Sequence, residues 1–293
     1  MLDVKFKSYS KPNFTIIEEE PTRYKKLDIY YRKNSVDLKM IRECLKHYSL
    51  IDFSESDIVL DLGANVGGLG KMICDKVSKV ISVEPDEFNF EVLDFNLSKY
   101  ENCTQLFGAV TGNNDFSKVN FSIKDNTNSS CAGKITSKNY NENLIIKSVN
   151  GYPINFLLEK YKPTILKIDV EGYEYNIIKK SLPSYIRVLA LELHGMTNFS
   201  YPKMLKLYKL LHEEWNIHAF NPVFIFDKLR LLNIICFRRE VKQVNYDLSY
   251  LDDKKINGIK PILRKKPTQP SKIVRKQIKK QIKKYKLWKL QIF

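Results

Sequence analysis

The chain has 293 residues, 43% of them hydrophobic, which suffices for one large or two small buried cores and argues against wholesale disorder. A formal net charge of +16 would suggest a polyanion binder, but the segment from Lys254 to Phe293 carries 15 Lys and Arg and no acid. The remainder holds 34 basic against 33 acidic residues. A near-neutral body with a basic tail argues against a catalytic face that grips a phosphate backbone along its whole length.

Residues 1–50 read as an N-terminal helical extension. Pro12 and Pro21 interrupt its start, and Glu18-Glu19-Glu20 reads as a solvated turn. After Ser35, an expected N-cap, Val36, Met40, Ile41, Cys44 and Leu45 recur at helical spacing and predict a helix over 36–49. From Asp57 strands and helices alternate, which predicts an α/β domain over 51–243: a parallel sheet with helices on both faces. Strands are expected at 57–62, 79–84 and 104–110, with helices at about 67–77 and 87–99 between them. Residues 111–150 are rich in Asn, Ser, Thr and Lys and alternate briefly at Val119–Ile123. They predict an antiparallel ribbon or long excursion over the mouth of a site. A helix at 154–161, a strand at 164–169, a helix at 172–180 closed by Pro183 and a strand at 187–193 follow. A helix near 201–214 and two strands near 217–226 and 231–238, turning at Asp227-Lys228, complete the pattern.

The chemistry sits where the first strand ends, at Asp61-Leu62-Gly63-Ala64-Asn65-Val66-Gly67-Gly68. A strand, a Gly-rich turn and a helix start place backbone N–H groups against a crevice. The dinucleotide pattern G-x-G-x-x-G fails at Asn65. The P-loop pattern fails at Asn65 and at Met72 after Lys71. What remains, an acid, one residue, Gly63, three residues and Gly67, is similar to motif I of class I S-adenosylmethionine (AdoMet) methyltransferases. Glycines admit the backbone close to a ligand, and Asp61 offers negative charge to an ammonium or sulfonium. Glu84 ends the second strand, 17 residues beyond Gly67, where an acid can accept both ribose hydroxyls of a nucleoside. Asn65 and Asp86 are further candidates for donor contact.

Leu166-Lys167-Ile168-Asp169-Val170-Glu171-Gly172-Tyr173-Glu174 joins these motifs, with Val83-Glu84-Pro85-Asp86 and Leu191-Glu192-Leu193-His194. Together they resemble the FkbM family of methyltransferases, from about Asp57 to Leu193 and more loosely to Phe237. The resemblance implies a class I methyltransferase (Rossmann-like) sheet of seven mostly parallel strands, the last antiparallel. It also implies AdoMet-dependent O-methylation of a hydroxyl on a sugar, glycan or other small acceptor.

Methyl transfer to an alcohol needs alignment and removal of a proton. Asp169, Glu171 and His194, at the ends of the fourth and fifth core strands, are the expected catalytic residues. Asp169 and Glu192 are an alternative pair for a divalent cation, similar to catechol-type O-methyltransferases. Glu171 and Glu174 could also simply complement a helix dipole.

Residues 244–293 read as a linker, with Pro267 and Pro270, and an amphipathic tail. Val274, Ile278, Ile282, Tyr285, Trp288 and Ile292 fall at helical spacing among Lys and Gln. Residues 271–293 thus have the pattern of an anionic membrane surface binder. A tail-recruited RNA 2′-O-methyltransferase is the alternative function, disfavoured by the near-neutral body. Five widely spaced cysteines without C-x-x-C imply neither a disulfide framework nor a zinc site. No apolar run reaches bilayer length, and Met1–Ser10 lacks an apolar core. A cytoplasmic location, with peripheral membrane association through the tail, is expected.

Overall fold

The computed structural model describes residues 22–112, 116–124, 134–135, 144–178, 182–195, 200–225 and 228–239. The linker and the expected membrane-binding tail lie outside the described residues. Among those described, no helix is long and apolar enough to cross a membrane.

The centre is a seven-stranded sheet. Its strands are β3 (Ile58–Leu62), β4 (Lys79–Glu84), β5 (Cys103–Phe107), β10 (Ile165–Ile168), β11 (Val188–His194), β12 (Trp215–Ile225) and β13 (Lys228–Arg238), in the order β12-β13-β11-β10-β3-β4-β5. All neighbours among β11, β10, β3, β4 and β5 run parallel. The last strand, β13, runs antiparallel between β11 and β12, as the family resemblance implies. The near-continuous apolar runs arise because both faces are covered. Leu60, Leu62, Ile81, Val83, Leu166 and Ile168 face one core with Leu157 of α4 (Ile154–Tyr161) and Leu207 of α6 (Ser200–Glu214). Their odd-numbered neighbours Val59 and Ile165, with Val80, face a second core with Leu69 and Ile73 of α2 (Gly68–Ile73). Each fully buried Leu or Ile contributes about 1.5–3 kcal/mol.

The strand expected at 104–110 is two strands. The chain leaves the main sheet at Gly108, and β6 (Ala109–Thr111) enters a second sheet with β9 (Leu144–Pro153), β7 (Lys118–Lys124) and β8 (Lys134–Ile135), in the order β6-β9-β7-β8. A Cβ at Gly108 would lie 2.5 Å from the Asn150 carbonyl oxygen, so the crossing needs glycine. The expected ribbon is therefore real: β7 and β9 pair antiparallel over seven positions.

The N-terminal segment contains more than the expected helix. A hairpin of β1 (Thr22–Tyr24) and β2 (Ile29–Tyr31) precedes α1 (Asp37–His47). Ser35 Oγ accepts from the Asp37 N–H at 3.1 Å, while Val36 occupies the cap position. Asn96 of α3 (Glu87–Leu97) binds the hairpin to the body: its Oδ1 accepts from the Tyr30 N–H, and its Nδ2 donates to the carbonyls of Tyr30 and Val66. Helix α5 (Glu174–Ile177) covers only part of the expected 172–180, of which 179–180 lie outside the described residues.

At the end of the sheet where β3, β10 and β11 begin, buried Asp57 ties three strands together. It accepts from Arg187 Nε (2.8 Å), Arg187 Nη2, Thr164 Oγ1 (2.6 Å) and the Ser54 N–H (2.8 Å). Burial alone would raise the carboxyl; the Arg187 and Thr164 hydrogen bonds outweigh it and hold Asp57 below the usual range. An acid with a depressed folded pKa adds stability above its unfolded value, near 4, and loses it as pH falls through the folded one. Asp57→Ala should therefore cost about 3 kcal/mol in urea unfolding at pH 7. The gap to the parent chain should narrow at pH 3; an equal gap at both pH values would contradict this role.

Candidate active site

Backbone geometry shapes the turn after β3. Gly63 (φ 76°), Asn65 (φ 51°) and Gly67 (φ 86°) are all left-handed. A Cβ on Gly63 would fall 1.8 Å from the Asp169 carbonyl oxygen, so the turn presses against the end of β10. The N–H groups of Gly63 and Ala64 both donate to the Val83 carbonyl, at 2.9 and 3.0 Å, locking the turn to β4. Glu84 at the tip of β4 is held in the same way. Its Oε2 accepts from the Asn65 N–H (2.8 Å) and its Oε1 from the Asp86 N–H (3.0 Å). Burial, then the Asp86 charge, push Glu84 up to about 8, against the pull of these two bonds.

One cleft opens here. Its floor and walls include Gly63, Asn65, Glu84, Asp169, Glu171 and Tyr173. Phe121 and Ile135 of the second sheet line it too, which places the ribbon at the mouth as expected. Two lining residues were not foreseen: Met40, from α1, and Asn89, whose Oδ1 accepts from Arg32 Nη2 at 2.6 Å. Three of the expected donor-binding residues serve the cleft indirectly. Gly67 caps α2. Asp86 caps α3, its Oδ1 accepting from the N–H groups of Phe88 and Asn89 at 3.0 Å each. Asp61 is fully buried and ion-paired with Lys167 Nζ at 3.0 Å, below the cleft rather than in it. Burial raises the Asp61 carboxyl, and Lys167 counters it.

The tips of β10 and β11 bring the expected catalytic residues together. Asp169, Glu171 and His194 each place a potential ligand atom within 4.8 Å of the others. His194 is 3% exposed and clasped from both sides, Nδ1 at 2.9 Å from Glu174 Oε1 and Nε2 at 3.3 Å from Glu171 Oε2. Burial opposes a charged ring, but the Glu174 hydrogen bond and the charges of Glu174, Glu171 and Asp169 raise His194 to about 10. The shift favours the imidazolium form, held between two carboxylates. Glu174 is more than a helix-dipole carboxylate: its Oε1 also accepts from the N–H groups of Gly172 (2.9 Å) and Val170 (3.3 Å). Glu171 stands at φ 52°, a left-handed conformation costly for a residue with a Cβ and typical of functional sites.

Glu192, expected beside Asp169 as a metal ligand, accepts from Asn233 Nδ2 at 3.2 Å. Burial and the Asp169 charge push it up to about 8. The side chains of Glu192 and Asp169 hydrogen-bond to each other, so the structure brings the expected pair together, and Asp169 also lies beside Glu171 and His194.

The roles of Lys167 and Glu174 were missed; a lysine inside an apolar strand signals a buried charge, but its partner Asp61 lies on another strand.

A nucleoside that carries a positive charge suits this cleft. The buried Asn65 Oδ1 has no hydrogen-bond partner in the protein, Gly63 leaves the turn bare, and no Lys or Arg lines the walls among the described residues. The sheet order, with its single reversed strand inserted next to the edge, is that of the class I methyltransferase fold. The chain belongs to the FkbM methyltransferase family, whose model, described as the methyltransferase FkbM domain, matches residues 61–217. Among solved structures, the chain is similar to the methyltransferase FkbM from Methylobacillus flagellatus KT, with 19% identity and a TM-score of 0.40 over 64% of this chain and 45% of that one. It is also similar to Aeropyrum pernix fibrillarin in complex with natively bound AdoMet, with 14% identity and a TM-score of 0.36 over 77% and 85%. A dimethyladenosine transferase from Plasmodium falciparum shows 11% identity and a TM-score of 0.40 over 69% and 62%. The chain thus spans less than half the length of the M. flagellatus protein. No curated protein matches it.

Because Glu84 sits near 8 in the free protein and ribose hydroxyls prefer a carboxylate acceptor, binding of S-adenosylhomocysteine should release a proton. Its affinity should rise between pH 7 and pH 9 and then level off, as read by calorimetry. Glu84→Gln should bind more weakly and lose this pH dependence; a parallel pH profile in the variant would contradict the assignment. Gly63→Ala should abolish binding, since its Cβ would collide with the β10 backbone.

Proposed function

We propose that the protein is an O-methyltransferase that acts on a hydroxyl of an uncharged, hydroxylated acceptor such as a sugar or glycan. The observation that carries this reading is the cleft wall: Glu84, Asp169 and Glu171 line it and no cation does among the described residues. Such a wall repels phosphate and favours hydroxyl groups, which donate to carboxylates. The apolar rim of Val110, Phe121 and Ile135 suits the C–H faces of a sugar ring.

AdoMet, when bound, supplies an activated methyl group on a good leaving group. Gly63, Asn65 and Glu84 are the residues that would hold it. The chain's own work is to orient the acceptor and remove its proton. Glu171 takes the proton. Its side chain is 26% exposed, so the proton can pass on to water. The buried His194 imidazolium, fixed by Glu174, anchors Glu171 from behind. Asp169, a short distance away, accepts a hydrogen bond that orients the hydroxyl.

A second reading rests on the convergence of Asp169, Glu171 and His194, a ligand set suited to a divalent cation if His194 gives up a proton. Turnover unchanged by EDTA would eliminate it; loss restored by magnesium would favour it.

Glu171→Gln should lower kcat by about 100-fold or more while leaving the affinity for S-adenosylhomocysteine within about twofold. Incubation with methyl-labelled AdoMet should put label into a glycan extract. Label in total RNA, with none in glycan, would replace this reading with the RNA 2′-O-methyltransferase alternative.

A further inference from the structure

Lys167 lies at the middle of β10, between Leu166 and Ile168, and is 5% exposed. Its Nζ donates to the carbonyl oxygens of Leu62 (3.3 Å) and Gly63, the last residue of β3 and the first of the turn. It stands 3.0 Å from Asp61 Oδ1 and 3.9 Å from Asp169 Oδ2. An apolar residue would fill this interior position at far less desolvation cost. The ammonium therefore holds something that an apolar side chain would not. It holds two kinds of group: carbonyls that fix the shape of the turn, and carboxylates that set the charge beneath it.

That charge matters because of what the site has to distinguish. The methyl donor is a sulfonium cation, and the product left after transfer is a neutral thioether of nearly the same shape. The two differ by one methyl group and one unit of charge, so the local field governs which of them the turn prefers.

We propose that Lys167 is a positioning residue that pins the donor turn to β10 and sets the preference of the site for donor over product. The proposal rests on the donor site assigned above. Lys167 cancels part of the combined charge of Asp61 and Asp169. Without it, and at a pH high enough to keep the buried Asp61 ionised, two uncompensated carboxylates under Gly63 favour the sulfonium over the thioether. Without Asp61, the ammonium is left under-compensated and the preference moves the other way. A purely structural lysine would weaken both ligands alike and leave their ratio unchanged.

The test is calorimetry of the full chain at pH 9, where Asp61 is ionised, with AdoMet and, separately, with S-adenosylhomocysteine, for the parent and for Lys167→Met, Asp61→Asn and the double variant. The donor-to-product affinity ratio should rise at least about threefold in Lys167→Met and fall at least about threefold in Asp61→Asn, a floor for one unit charge acting at an effective dielectric of about 20. In the double variant it should return to within about twofold of the parent. If Lys167→Met does not fold, the near-isosteric Asp61→Asn carries the test with its opposite sign. Ratios within twofold of the parent in every folded single variant would overturn the proposal. Absence of binding of either ligand to the parent chain would remove the donor site itself, and this proposal with it.

Discussion

The structure depends on a crowd of carboxylates at one end of a parallel sheet. Asp61, Glu84, Asp169 and Glu192 come from β3, β4, the end of β10 and β11, and Glu171 and Glu174 follow β10 within one turn. Burial and neighbouring acids raise Glu84 and Glu192. Two buried cations hold the arrangement. Lys167 lies beneath the Gly63 turn against Asp61 and Asp169, and His194 lies between Glu171 and Glu174. Glu84 and Glu192 feel Lys167 and His194 only at longer range among the described residues, and each is pushed up to about 8. The result is a cleft with acidic walls whose positive charges sit behind its surface rather than in it.

This division assigns work to the two cations. Lys167 belongs to the donor side, through the carbonyls of the turn. His194 belongs to the acceptor side, through Glu171. The strain at Glu171, a β-carbon residue in left-handed backbone, fits the same picture. Gly172 follows at φ 98°, and Glu174 catches the N–H groups of Val170 and Gly172. A short, over-determined loop thus aims one carboxylate into the cleft at an energetic cost met by the surrounding bonds. Phe121 and Ile135 of the second sheet line the cleft, and the Lys147–Glu87 ion pair beside Phe88 is one of its ties to the body.

Much of this was legible in the sequence. Apolar strands alternating with helices, an acid followed by spaced glycines, and an acid at the next strand end all follow from burial and close backbone approach, which leave strong local patterns. The Asn- and Lys-rich stretch also announced the ribbon. Other features depend on partners distant in the chain. Three-residue strands in the Thr22–Tyr31 hairpin are too short to show a period, and Asn96, far along the chain, holds them. The break at Gly108 depends on the approach of Asn150 and Tyr152. Asp86 fits two readings, because an N-cap and a nucleoside contact call for the same residue after a strand. The partners of His194, Glu171 and Glu174, are distant from it in sequence, so its two ion pairs could not be read there. Lys167 was visible yet unassigned, since only the register of β3 beside β10 puts Asp61 opposite it.

The account stands on the charge state of the acceptor side, where a buried imidazolium holds the catalytic carboxylate. The most direct measurement is the nitrogen chemical shifts of the His194 ring in isotopically labelled protein, followed from pH 6 to pH 9. Both ring nitrogens should remain protonated up to pH 9. A neutral ring titrating near pH 6.5 would contradict the arrangement of charges described here and return His194 to the role of base.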